Sequence, residues 1–200
     1  MFKRFSLERV RNMSYEEYWK KIQQTTDELT SLVETYWQNY SNMGTWQFWF
    51  VLSVLILPLV LLYFTVDRKR IFEVFFFGYT VHVLWTYVSI PLERYGYFIH
   101  TYFFTPILPF ALNMASSALP VGFLLLYQYC TKANKNFYLY MLLLSAFFAF
   151  GFGTLEEVLG LIEFGKGMNQ LHLFIIDIVI ALIAYWFTKL LLKVKNKSLS

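Results

Sequence analysis

Apolar and polar positions divide the chain into three parts: a polar stretch over residues 1–45, a long apolar stretch over residues 46–192, and a basic tail over residues 193–200. In the first, Tyr15, Tyr18, Ile22, Leu29, Leu32 and Tyr36 recur at spacings of three, four and seven. That period places them on one stripe and predicts an amphipathic helix from Ser14 to Tyr40. Ser14, with Glu17 three residues on, reads as a capping box, in which each side chain bonds the other residue's backbone N–H. Asn42 and Gly44 are expected to end the helix.

The apolar stretch holds five runs, over residues 46–66, 71–90, 106–129, 137–161 and 171–192. About 20 apolar residues cross a bilayer as a helix. The pattern therefore predicts an all-α integral membrane protein, a five-helix transmembrane bundle preceded by the amphipathic helix. Trp46 and Trp49 stand at the entrance of the first run, where aromatic belts lie. Asp67-Arg68-Lys69-Arg70 reads as a tight turn. Thr105 is expected to cap the third helix, with Pro106 in its first position and Pro109 in its first turn. Pro120 lacks an N–H and is expected to free the carbonyl of Ser116 and bend that helix. Gly165 and Gly167 mark the last loop.

Composition agrees with this class: 58% of residues are hydrophobic, 22% aromatic and 15% charged, against roughly a quarter charged in soluble domains. The single cysteine, Cys130, excludes an intramolecular disulfide and a cysteine-cluster metal site. The net charge of +4 comes with no basic stripe clear of the membrane, so nucleic acid is not an expected partner. Residues 1–45 contain no apolar signal-peptide core.

Charge also predicts orientation. Nine basic residues lie on one side: Arg68, Lys69, Arg70, Lys132, Lys135, Lys189, Lys193, Lys195 and Lys197. Two, Arg94 and Lys166, lie in the loops of the other. The six basic residues of the N-terminal tail, all at or before Lys21, fall beyond the roughly 15–20 residues from a span end over which charge sets orientation, and are not counted. Basic residues near span ends stay cytoplasmic, so the N-terminus is expected outside and the C-terminus inside.

The candidate chemistry is a polar layer inside the bundle. Ser145, Ala149, Gly153 and Gly160 form a small-residue ladder in the fourth run; Asp177, Ala181, Ala184 and Thr188 form one in the fifth, and Gly78, His82, Thr86 and Ser89 one in the second. Small residues let helices approach closely. Glu156, Glu157, Asp177 and Asn113 fall roughly 6–11 Å below the outer ends of their runs at 1.5 Å per residue. His82 lies a turn or two deeper. No Lys or Arg shares that depth, while Arg94, Lys166, His100 and His172 sit at span ends. Buried acids without a cation stay protonated, share a proton or hold an external cation. Of the two adjacent glutamates, Glu156 is the expected inward member, because Gly153 and Gly160 flank it.

The layer His82, Asn113, Glu156, Glu157 and Asp177 thus suggests handling of protons or a small cationic solute. The alternative is a scaffold or accessory subunit that recruits a partner protein, or a second copy of the chain, through the Ser14–Tyr40 helix. A remoter alternative is a degenerate intramembrane protease, since Glu156-Glu157 resembles a Glu-Glu-x-x-x-Arg motif; Leu161 stands at its Arg position. No catalytic residue, metal site or cofactor is expected: the chain has no phosphate-binding Gly-rich loop, no HExxH and no nucleophile elbow. Glu73, beside Lys69 and Arg70 in a first helical turn, reads as structural.

At Trp46-Gln-Phe-Trp-Phe, Asp67-Arg-Lys-Arg, Ile71-Phe-Glu-Val-Phe-Phe-Phe-Gly-Tyr-Thr-Val-His-Val-Leu-Trp, Leu119-Pro-Val and Tyr127-Gln-Tyr, the chain resembles a family of small multi-span membrane proteins from Bacillus- and Clostridium-type spore-forming bacteria. The second-run motif is the most specific part of the likeness, which covers residues 46–192. The resemblance implies a bacterial cytoplasmic membrane and carries no established activity, so it supplies no functional residues.

Overall fold

The computed structural model describes residues 13–107 and 110–198. Helix α1, Tyr15–Tyr40, opens with the reciprocal box: the Glu17 N–H donates to Ser14 Oγ at 3.3 Å and the Ser14 N–H to Glu17 Oε2 at 2.9 Å. None of its residues is buried. Its C-terminal end is tied to the bundle. The Tyr36 hydroxyl donates to the Thr101 carbonyl at 3.0 Å, and the Tyr36 ring stacks on Phe103. Just beyond, Ser41 Oγ exchanges two 3.0 Å hydrogen bonds with the Phe103 backbone.

Helix α2, Trp46–Thr65, leads through a 3-10 turn at Arg68–Arg70 into α3, Ile71–Arg94. Helix α3 continues a turn past the expected end at Ile90. Pro91 removes one donor there but keeps a helical φ, and the Tyr95 N–H still reaches the Pro91 carbonyl at 3.0 Å. Helix α4 covers residues 112–132, α5 Phe137–Val158 and α6 Gln170–Ser198. Four helical segments, Trp46–Thr65, Arg68–Arg94, Phe137–Val158 and Gln170–Lys197, are long and apolar enough to cross a membrane. Helix α4, richer in polar residues, packs against α2, α3 and α5.

Several expected boundaries are corrected. The third helix does not start at Pro106: Thr105 and Pro106 lie in irregular backbone, and Pro109 lies outside the described residues. The cap comes from another helix, because the Glu93 carboxylate of α3 accepts the N–H groups of Phe110 and Ala111, both at 3.0 Å. Helix α5 stops at Val158 and not at Leu161. Gly160 adopts φ +69°, with the Leu161 N–H on the Glu156 carbonyl at 2.8 Å and the Gly160 N–H on the Glu157 carbonyl at 2.9 Å. This is a Schellman ending, so Gly160 terminates the helix instead of extending the ladder. The tail is helical to Ser198, since Lys193, Lys195 and Lys197 favour a helix and suit its negative C-terminal end.

Two elements were not expected. A short antiparallel ribbon pairs β1, Phe98–His100, with β2, Ile162–Phe164, in the register Phe98↔Phe164. Gly165 sits so close to the Gly96 carbonyl that any Cβ would collide with it. The other is a π-helical turn in each of two helices, Met114–Ala118 in α4 and Phe147–Phe152 in α5.

The core lies between α3, α4, α5 and α6. Phe77 stacks on Tyr127 at 4.5 Å and Phe137 on Tyr185 at 4.3 Å. At the end of the bundle away from α1, Arg70 pairs with Glu73 at 2.6 Å, and the Tyr127 hydroxyl donates to Glu73 at 2.6 Å. Glu73 thus acts in holding helices together.

Candidate functional site: an acid-lined cavity

A cavity of about 30 Å³ lies between α3, α4, α5 and α6, nearer the α1 end of the bundle; its polar walls are Trp85, Ser89, Glu156 and Asp177. Each comes from a helix face that local rules explain. Trp85 and Ser89 are one turn apart on α3, and Asp177 heads the column Asp177, Ala181, Ala184 and Thr188, all buried. Phe98 of the ribbon lines the cavity as well. The two π turns reach it through Met114, Ala115, Phe148 and Ala149. π turns are frequent at functional sites because the extra residue redirects side chains and loosens the carbonyl ladder.

The two acids differ in their partners. Asp177, 2% exposed, accepts the Trp85 indole N–H on Oδ1 at 3.1 Å. Glu156, 3% exposed, has no hydrogen-bond or ion-pair partner among the described residues. An ionised carboxylate in an apolar wall is strongly disfavoured without compensation. The arrangement therefore favours the arrival of positive charge at Glu156.

The five residues of the expected layer do not all gather. Glu156 and Asp177 line one cavity. Glu157 is exposed and accepts from Gln170 Nε2. Asn113 is buried next to the α4 π turn and is not a wall of the cavity. His82 is half-buried, and its Nδ1 donates to the Ala115 carbonyl at 2.9 Å. In the π register the Leu119 N–H bonds the Met114 carbonyl, five residues back. The carbonyl deprived by Pro120 is then that of Ala115, not Ser116, and His82 supplies the missing donor.

Two participants escaped sequence reasoning. Trp85 was visible only as an aromatic residue three places after His82, and nothing local links it to Asp177. Glu93 falls one turn beyond Ser89 on the same face of α3, past the expected end of the run at Ile90. Beside its two backbone bonds, Glu93 Oε1 lies 3.1 Å from His100 Nδ1, both side chains being almost fully buried. No group of three or more potential metal-binding side chains occurs among the described residues.

Fold and cavity define a helical, multi-pass membrane protein with a buried pair of acids. No family model, curated protein or solved structure matches the chain.

Proposed function

We propose that the protein is a non-enzymatic component of a bacterial cytoplasmic membrane whose Glu156–Asp177 cavity takes up a proton or a small monatomic cation. The observation that carries this reading is the Glu156 carboxyl: buried, unpartnered among the described residues, and open to the same cavity as Asp177. Size narrows the ligand. A cavity of about 30 Å³ admits roughly one or two water-sized particles, which fits a proton, a hydrated proton or a bare cation and excludes an organic solute. In this reading α4 is a fifth span, the N-terminus is outside and the C-terminus inside.

Proteoliposomes with an enclosed pH- or cation-sensitive dye test it. A gradient should drive flux through the wild type. Glu156→Gln and Asp177→Asn should each lower the rate at least about tenfold, the loss expected when a required proton-transfer group is removed, while Glu157→Gln should leave it intact. Absence of wild-type flux under proton, sodium and potassium gradients overturns the proposal, as does equal flux in all three variants.

A further inference from the structure

A second recess lies apart from the acid cavity, at the level where α1 passes the end of α3. Tyr18, Lys21, Ile22, Thr25 and Leu29 of α1 face Arg94 of α3 across a groove of about 270 Å³. The apolar wall is uncovered: Tyr18 is 45%, Ile22 43% and Leu29 48% exposed. Neither Lys21 nor Arg94 has a side-chain hydrogen bond or ion pair among the described residues. The Thr25 and Thr26 hydroxyls donate to the Lys21 and Ile22 carbonyls of their own helix, so the two cations, with the Tyr18 hydroxyl, are the free donors of the groove. Glu17, one turn from Lys21, is engaged on the Ser14 N–H, and no acid of α1 lines the groove.

We propose that this groove binds the headgroup of an anionic phospholipid. Position supports this. Arg94 ends a membrane-length helix, and α1 joins α2 through residues 41–45, with exposed Trp46 and Trp49 at the junction. Aromatic residues of this kind mark the headgroup level of a bilayer. A phosphodiester placed there meets the Arg94 fork and the Lys21 ammonium on opposite walls. Its glycerol and first methylenes meet Tyr18, Ile22 and Leu29. Free phosphate would leave that apolar wall in water. An apolar partner helix would seat both cations unpaired against its surface, which is unfavourable.

The test uses the full chain in nanodiscs of phosphatidylcholine mixed with phosphatidylglycerol, with retained lipid counted by native mass spectrometry. The wild type should retain phosphatidylglycerol in preference to phosphatidylcholine. In Lys21→Gln, Arg94→Gln and the double variant, that preference should fall about fivefold for each charge removed. Lys21→Arg should keep it, and the substitutions lie on exposed positions where folding is not at stake. Four outcomes overturn the proposal: no preference in the wild type; an unchanged preference in the double variant; loss of the preference on adding millimolar inorganic phosphate, which identifies a free-anion site; or a change of oligomeric state in the double variant with lipid retention unaltered, which identifies a protein contact.

Discussion

At the residue scale, the imidazole of His82 shows how one missing donor recruits a distant side chain. Pro120 cannot supply an N–H, the π turn passes the deficit to the Ala115 carbonyl, and His82 Nδ1 answers it. His82→Ala should lower stability by about 1–3 kcal/mol, the cost of a buried carbonyl without a partner. Thermal unfolding in detergent measures this, and His82→Asn, which keeps a donor, should recover part of the loss. Glu17 offers a pH signature outside the membrane. The backbone and hydroxyl of Ser14 hold its carboxyl below the usual glutamate range. A value lowered in the folded helix means that its stabilising effect is present above the unfolded value, about 4.3, and is lost as pH falls through the lower folded one. Amide exchange in the first turn of α1 should therefore accelerate in that acid window, and Glu17→Gln should remove the pH dependence.

At the element scale, the bundle depends on close approach of α3 and α4. A Cβ added at Gly78 would lie 2.5 Å from Leu124 Cδ1 and 3.1 Å from Leu124 Cβ. Gly78→Ala should therefore push the helices apart or force Leu124 off its rotamer, at a cost of about 1–3 kcal/mol. Combining it with Leu124→Ala should cost less than the sum of the two single changes, a coupling that a double-mutant cycle of unfolding free energies detects. The same pair of helices sets where α4 begins, through Glu93. Placement of the Met114–Ala118 turn against the cavity thus depends on α3 at both ends of its contact.

At the scale of the whole molecule, the ends of the helices sort into two groups. Loops after α3 and α5 join through the β1–β2 ribbon, and α1 fastens to the first of them through Tyr36 and Ser41. At the other end, the Asp67 N–H donates to Gln128 Oε1 at 2.7 Å, and Gln128 Nε2 donates to the Thr65 carbonyl at 3.0 Å. The nine-to-two division of the basic residues in the loops and the C-terminal tail follows the same two groups; Lys20 and Lys21 of α1 stand outside that count. A reporter fused after Ser200 should accordingly read cytoplasm, and one inserted between Gly165 and Gly167 should read outside. A cytoplasmic signal from both sites would leave α6 uncrossed and remove the basis of the cavity.

The membrane class, the run of apolar helices and the inward column of α6 were legible in the sequence, because a bilayer demands a fixed apolar length and a helix repeats its faces every 3.6 residues. Of the α3 column, Gly78 and Ser89 are buried and His82 and Thr86 half-buried. Glu156 is the buried member of its pair, although Gly160, half of the reason for expecting it, lies beyond the helix end. Tertiary structure alone decided the rest. Periodicity reports which face a helix buries and not what stands opposite, so Trp85 on Asp177, Glu93 on the start of α4 and His82 on Ala115 had no local signal. Each is a bond between groups far apart along the chain. The π turns belong with them, since one extra residue in a helix is tolerated only where neighbouring helices satisfy the displaced carbonyls. His82 and Asn113 lie outside the walls that Glu156 and Asp177 share with Trp85 and Ser89.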